Sequence, residues 1–518
     1  MKSILCRPRA LKFEPLEPRQ VLSASSLVSD QLVTPNLIVL PDASSGVSGL
    51  TPAQLRAAYG FSNITFGSVA GNGAGETIAI VDAYNDPNIT SDLATFDKQF
   101  GIAAPASFKV VNENGGSSLP QNDRGWSSEI ALDVEWAHAI APGANILLVE
   151  ASSANTSDLD RAEDFARSAS GVVVVSNSWG GSEYNGEASE DVHFTTPSGH
   201  AGVTFTVAAG DEGTTAEYPS ASPDVLSVGG STLRLTSSGA YSSESVWSDG
   251  GGGSSRYEGL PSFQSGLGIT NRGTPDVSYD ANPSTGVAVY DSYGSGGWAQ
   301  FGGTSTGAPQ WAALIAIADQ GRALAGKGSL ANAQDAIYSL PSSDFHDITS
   351  GSNGLSAATG YDLASGRGSP IANLVVSGLV SYGGSTSFTV SSPTTTTTRT
   401  GGFGWWWGWG GWFFDVSAGA VAAATSDSGA GQSNPASGMA FANGNVAASG
   451  AFSDALPVQL AQLNDAALQN AASDNSSTDG QCNNTANASD TTAAHAAIDS
   501  FFAQLEDAAT THALLNVA

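Results

Sequence analysis

The sequence predicts an α/β fold built on a parallel sheet, and three observations carry that prediction. Short runs of β-branched and other apolar residues recur between 76 and 211, each ending near Gly, Ser or Asp. Their nearly unbroken apolar character is that of strands covered on both faces. Stretches with helical spacing separate several of them, and strand–helix–strand alternation of this kind builds a parallel sheet.

The first such strand is "ETIAIVDAY" (76–84). A helical pattern over 126–141 follows, then the strand "ANILLVEA" (144–151) and a second helical pattern over 157–169. "GVVVVSNSWG" (171–180) and "GVTFTVAAGD" (202–211) continue the series. Sites in such sheets lie beyond the carboxyl ends of the strands. Asp82, Ser178 and Asp211 fall there. "FGGTSTGAP" (301–309) sets Ser305 among small residues at the start of a helix. A serine hydroxyl becomes a useful nucleophile only when a neighbour takes its proton.

Composition limits the possible partners. The chain has 518 residues, of which 48 are acidic and 18 basic, for a formal charge of −30. Nucleic acid and anionic membrane surfaces repel such a chain. The cysteines are Cys6 and Cys482, so no internal disulfide framework is expected. No apolar run reaches the length of a transmembrane helix.

Residues 1–24 read as an export leader. They carry Lys2, Arg7, Arg9, Lys12 and Arg19, and "FEPLEPRQVLSA" (13–24) resembles the LEPR-type N-terminal motif of exported and surface proteins of certain bacteria. An extracellular or cell-surface location is the expectation. A short segment, 25–50, precedes the main domain at 51–382 and is too short for a core of its own. Maturation without a large inhibitory prodomain is therefore expected, with a mature start between about Ser25 and Thr51. Residues 383–402 form a Ser/Thr-rich linker. The region 403–518 is low in complexity, partly helical and partly disordered. Its aromatic row "FGWWWGWGGWFFD" (403–415) could stack on sugar rings or sit at a membrane surface, although packing on itself is the simpler reading. Ile498, Phe501, Phe502 and Leu505 share one helical face near the end.

The base for Ser305 is sought in "SSEIALDVEWAHAIAPGA" (127–144). Glu129 and Asp133 lie four residues apart, so a helix puts them on one face, where they can share a proton. Such a pair is ordinarily a solvated face. Here Ile130, Ala131, Leu132, Val134, Trp136 and Ala137 make the helix mostly apolar and hence buried. Like charges on a buried helix point to chemistry. His138 projects from the opposite side, and His193, His200 and His346 lie in loop-like sequence. Asp211, in "AAGDEG" (208–213), either caps a turn or serves as a neutral acid that donates to an oxyanion.

These stretches, in this order, resemble the sedolisin family, the serine-carboxyl peptidases of subtilisin-like fold. The matching motifs are "GGTSTGAP" at Ser305, "EIALD" at Glu129 and Asp133, and "AAGDEG" at Asp211. The resemblance, which covers roughly 51–382, implies a three-layer domain around a central parallel sheet. It implies Ser305 as nucleophile, Glu129 as base, Asp133 as its partner and Asp211 at the oxyanion. It also implies that Ser178, Trp179 and Gly180 line the substrate, an extended polypeptide. "DITSGSNGLSAATGYDLASGRGSP" (347–370) resembles the family's calcium loop. One structural Ca2+ would take carboxylate oxygens of Asp347 and Asp362 and carbonyls of Ile348, Ala358 and Gly360. Ala358 stands where the family usually has glycine, and Arg367 occupies an apolar position of its pattern.

Two other readings stay open at this level. A subtilisin-type enzyme would use Asp82, a histidine and Ser305, although the histidine motif is missing. An inactive surface or adhesion protein would keep the domain without its chemistry.

Overall fold

The computed structural model describes residues 30–40 and 46–383. The expected leader, nearly all of the Ser/Thr linker, and the region 403–518 with its aromatic row and apolar helix face lie outside the described residues, as do Cys6 and Cys482. The central sheet has eight strands. They are β1 (Thr77–Ala83), β2 (Phe108–Asn112), β3 (Asn145–Ala151), β4 (Val172–Asn177), β5 (Thr204–Ala208), β6 (Leu226–Leu235), β7 (Tyr241–Val246) and β8 (Val277–Asp280). Their order is β7-β6-β5-β4-β1-β3-β2, with β8 on β6, and all pairings are parallel except that of β7 with β6. From β1 the order runs through β3 to β2 on one side and through β4 to β5 on the other. This divergence opens a crevice at the carboxyl ends of β1 and β4.

The helices are α1 (Pro52–Ala58), α2 (Ile89–Phe100), α3 (Arg124–Ile140), α4 (Thr156–Ser168), α5 (Gly307–Leu324), α6 (Ala333–Ser339) and α7 (Ala372–Ser381). Alternate residues of the strands serve opposite faces. Ile78, Ile80, Ile146 and Leu148 pack with α3 and α5. Ala79, Val81, Leu147 and Val149 pack with Leu159, Ala162 and Ala166 of α4. The sheet is thus a middle layer. Helix α5 is buried from Gly307 to Arg322, as an apolar surface all round requires. Among the described residues, no helix is long and apolar enough to cross a membrane.

Residues 30–40, which the sequence sets apart from the 51–382 domain, pair with that domain. Thr34–Pro35 lie antiparallel to Trp179–Gly180, and Ile38–Leu40 lie antiparallel to Gln300–Gly302. Further on, Leu50 donates to the Gly286 carbonyl at 2.8 Å. Thr51 and Gln54 then open α1 with a reciprocal capping box around Pro52.

The buried cation Arg272 ties β8 to the loops around it. Both it and Asp276 are fully buried, and the guanidinium fork meets both carboxylate oxygens at 2.6 Å. Asp276 also accepts from the Ser227 N–H at 2.8 Å and the Tyr338 hydroxyl at 2.8 Å. Removing one member strands the other's charge in the core. Arg272→Met should therefore cost about 3–5 kcal/mol of stability, read from the denaturation midpoint of the full chain. A loss below about 1 kcal/mol would show that the pair is dispensable.

Candidate active site

Helix α3 owes its start to Asp123, whose carboxylate accepts the Gly125 and Trp126 N–H groups at 2.9 and 3.0 Å. Every residue from Trp126 to Ile140 is buried. Trp136 fixes the helix rotation by donating from its indole to the Ala288 carbonyl at 3.0 Å. That rotation turns Glu129 and Asp133 to the end of β1, where Asp82 is fully buried. His138 turns the other way, 3.3 Å from Asp97 and 3.0 Å from the Ala103 carbonyl.

Ser305 reaches the same crevice from the far side. The strand Gly297–Gly302 delivers it, and a single 3-10 turn, Thr304–Thr306, leads into α5. Gly303 adopts φ +103°, and a Cβ there would collide with the Asn36 carbonyl oxygen and Asp211 Oδ2. Only glycine fits both demands. Thr304 anchors the turn: its N–H and hydroxyl donate to Asp211 Oδ1 at 2.7 and 2.9 Å. The Ser305 hydroxyl rests 3.2 Å from the Ser178 carbonyl, and the Ser178 hydroxyl donates to Asp133 at 2.8 Å. The structure thus brings Glu129, Asp133, Asp211, Ser305 and Ser178 into one crevice, together with Asp82.

Electrostatics set the proton positions. Burial, then the charges of Asp133 and Asp82, push the Glu129 carboxyl well above the ordinary glutamate range, while the Ser305 hydroxyl beside it favours its charged form. Neither Glu129 oxygen yet closes a well-formed hydrogen bond. Unliganded sites are commonly loose in this way. Asp133 is raised by burial and by Asp82, against the hydroxyl of Ser178 and the carboxyl of Glu129. Burial raises Asp82 to about 8. Asp211 is also raised to about 8 by burial, although the Thr304 donors oppose the shift. Its Oδ2 is enclosed and has no partner, as suits a protonated oxygen aimed at an absent or incoming acceptor.

Ser178 closes the turn after β4, and Trp179 and Gly180 begin the strand Trp179–Ser182. The Trp179 indole donates to the Val81 carbonyl at 2.9 Å, so this strand is seated on β1. Its two edges are both paired, one with Thr34–Pro35 and the other with Glu217–Tyr218. The edge expected to receive a peptide therefore holds a stretch of the same chain. Beyond Glu217 a cavity of about 400 Å³ opens, with Ser182, Glu183, Glu212, Glu217, Gly253 and Arg256 in its wall.

Four participants went unassigned in the sequence reading. Asn36 lies between two strands of two and three residues, Thr34–Pro35 and Ile38–Leu40, too short to leave a periodic signal. Thr304 and Glu217 act through contacts made only in the fold. Asp82 was visible at the end of "AIVDAY", but as the aspartate of the rival histidine-dependent scheme. No histidine stands among the groups that act on Asp82, Glu129, Asp133 or Asp211.

The expected calcium ligands are neighbours. Asp347 accepts the Gly360 N–H at 3.1 Å, and Asp362 accepts the Ala358 N–H at 2.7 Å. Asp362 also holds the N–H groups of Ala364 and Ser365, whose hydroxyl reaches the Ile348 carbonyl at 3.5 Å. Both carboxylates thus accept main-chain N–H groups of the turn 358–360. Among the described residues, the side chains of Asp86, Asp92 and Asp291, and those of Asp160, Glu190 and His193, lie close enough together to share an ion.

Comparison with known proteins places the chain among peptidases. The model of the Subtilase family matches residues 112–337. Kumamolisin of Bacillus sp. (strain MN-32) is 33% identical over 364 residues, which cover 63% of this chain and 63% of that protein. Sedolisin of Pseudomonas sp. (strain 101) is 32% identical over 348 residues, 60% of this chain and 58% of that one. The chain spans about three fifths of the length of these curated relatives. The solved structure of Pseudomonas sedolisin, a serine-carboxyl proteinase complexed with two molecules of pseudo-iodotyrostatin, superposes with a TM-score of 0.56 at 30% identity. It is covered completely by 65% of this chain.

The raised carboxyls make stability depend on pH in a stated direction. Between about 3.8 and about 8, the unfolded chain releases protons that Asp82 and Asp211 retain when folded. Their contribution is whole in acid and is lost as pH rises towards about 8. Melting temperature should accordingly fall between pH 4 and pH 8, roughly the span of these shifts. Asp82→Asn should flatten that slope. A melting temperature that rises over the same range would contradict the assignment.

Proposed function

Because the chain belongs to the sedolisin family, we propose that it is an acid-active serine-carboxyl endopeptidase that acts on polypeptides outside the cell. The observation that carries the reading is the meeting of buried Glu129 and Asp133 with Ser305, across from the partnerless oxygen of Asp211. Ser305 attacks the substrate carbonyl and passes its proton to Glu129. Asp133 holds Glu129 and shares its proton, and Ser178 orients Asp133. Asp82 discourages full ionisation of the pair, which keeps a proton in circulation. The Ser305 N–H and the protonated Asp211 donate to the oxyanion. Glu129 then protonates the leaving amine, and water discharges the acyl-enzyme by the reverse proton path.

One of the carboxyls grouped at Glu129 must be ionised while Asp211 stays protonated. Ordinary carboxyl values would set that window at roughly pH 3–5. Burial moves both limbs upward, with Asp211 losing its proton at about 8. Hydrolysis of a quenched peptide should therefore peak on the acid side of neutrality and vanish above about pH 8. Ser305→Ala and Glu129→Gln should each lower kcat by on the order of a thousandfold or more, since such residues act as a unit. His138→Ala should leave kcat within a few-fold. An alkaline optimum, with tolerance of Glu129→Gln and dependence on a histidine, would restore the subtilisin-type reading. A well-folded chain that cuts nothing at any pH would favour the inactive scaffold.

We also propose one structural Ca2+ at Asp347 and Asp362, with main-chain carbonyls of Ile348, Ala358 and Gly360. The ion would fasten the turn 358–360 to the strand end at Phe345–His346. An ion bound only by the folded state stabilises it by mass action. Chelation should lower the melting temperature, and Asp362→Ala should abolish the response. No shift on chelation would remove the site.

A further inference from the structure

Three aspartates outside the proton path of Ser305 meet in one buried place. Asp86 lies in the loop that follows β1, Asp92 in the first turn of α2, and Asp291 at the end of the strand Val287–Asp291. They are 2%, 2% and 0% exposed. One carboxylate oxygen of each lies within 4.8 Å of one from each of the others. Ca2+ holds its oxygens at about 2.3–2.6 Å, so two of them stand at most about 5 Å apart. The three aspartates therefore fit around one such ion.

Two of the three are well supplied with donors, and the third is left short. Asp291 accepts the Tyr293, Gly294 and Ser295 N–H groups at 3.1, 2.8 and 2.7 Å, and the Ser128 hydroxyl at 2.6 Å. Asp92 accepts the Ser292 N–H and hydroxyl, each at 2.8 Å. Asp86 spends Oδ1 on the Asn88 N–H at 2.8 Å, while its Oδ2 is enclosed and has no hydrogen-bond partner. Among the described residues, no Lys, Arg or His forms an ion pair with any of the three. Burial disfavours a charge on Asp86, and the neighbouring charges of Asp291 and Asp92 add to that cost, against the Asn88 N–H. A cation in their midst would give Oδ2 its missing partner and turn repulsion into attraction.

We propose that Asp86, Asp92 and Asp291 bind one hard divalent cation, with Ca2+ the best match, through Asp86 Oδ2 and one oxygen of each of the others. Carboxylate oxygens without nitrogen or sulfur select hard ions. Ca2+ accepts irregular shells, whereas Mg2+ demands a near-ideal octahedron. The ion is distinct from the one proposed at Asp347 and Asp362, whose ligands come from other elements. It fastens the loop after β1 and the start of α2 to the strand Val287–Asp291. Through the Ser128 hydroxyl on Asp291, the same tie reaches α3 at the residue before Glu129.

The test counts Ca2+ bound to the full chain by equilibrium dialysis at about pH 7, above the ordinary carboxyl range. Free Ca2+ of about a millimolar suffices for a site of this donor class. Asp86→Asn keeps the shape of the side chain and an acceptor for Asn88. It should bind one ion fewer than wild type, and so should Asp92→Asn, whether or not Asp362→Ala is also present. Added Ca2+ should raise the melting temperature of Asp362→Ala, and Asp86→Asn in that background should remove the rise. Wild type that binds no Ca2+ would overturn the inference, however the variants fold. Folded Asp86→Asn and Asp92→Asn chains that bind as many ions as wild type would also overturn it. These readouts are independent of peptide hydrolysis, so the peptidase reading stands or falls apart from them.

Discussion

Acidic groups buried without a cation govern this structure. Glu129, Asp133 and Asp82 are wholly enclosed, as is the Oδ2 atom of Asp211, and none of the influences on them is a basic side chain. A buried charge without a partner is costly, so such groups keep their protons instead. The architecture follows from that requirement. A helix buried on every side must carry the acids, the carboxyl ends of central strands must face them, and hydroxyl groups must take the place of countercharges. Ser178, Thr304 and Ser305 fill that last role.

The same constraint separates the two buried histidine and arginine arrangements from the crevice. His138 sits one helix face away from Glu129 and meets Asp97 instead. Arg272 neutralises Asp276 behind β8 with both forks engaged. Arg272 thus supplies a fixed charge to a carboxylate away from the crevice, and no basic side chain acts on the groups that must move a proton.

Much of this was legible in the sequence, for physical reasons. Strands covered on both faces leave unbroken apolar runs, and β1, β3, β4 and β5 begin and end within a few residues of those runs. Glu129 and Asp133 stood out because carboxylates are anomalous on an otherwise apolar helix. The glycines around Ser305 signalled close backbone approach, and Gly303 has that role. What could not be read was long-range. The pairing of 34–35 and 38–40 involves too few residues for a period-two pattern, and it joins positions far apart in the chain. The place of Asp82 beside Glu129 likewise depends on how α3 is rotated by Trp136, which only packing decides.

The seat taken by residues 34–36 also bears on competition. A stretch joined to the domain through Leu50 never diffuses away, and such tethering corresponds to a local concentration on the order of millimolar. Any free polypeptide must displace it to reach Ser305. The strength with which the crevice is occupied is thus set by the tether as much as by the contacts.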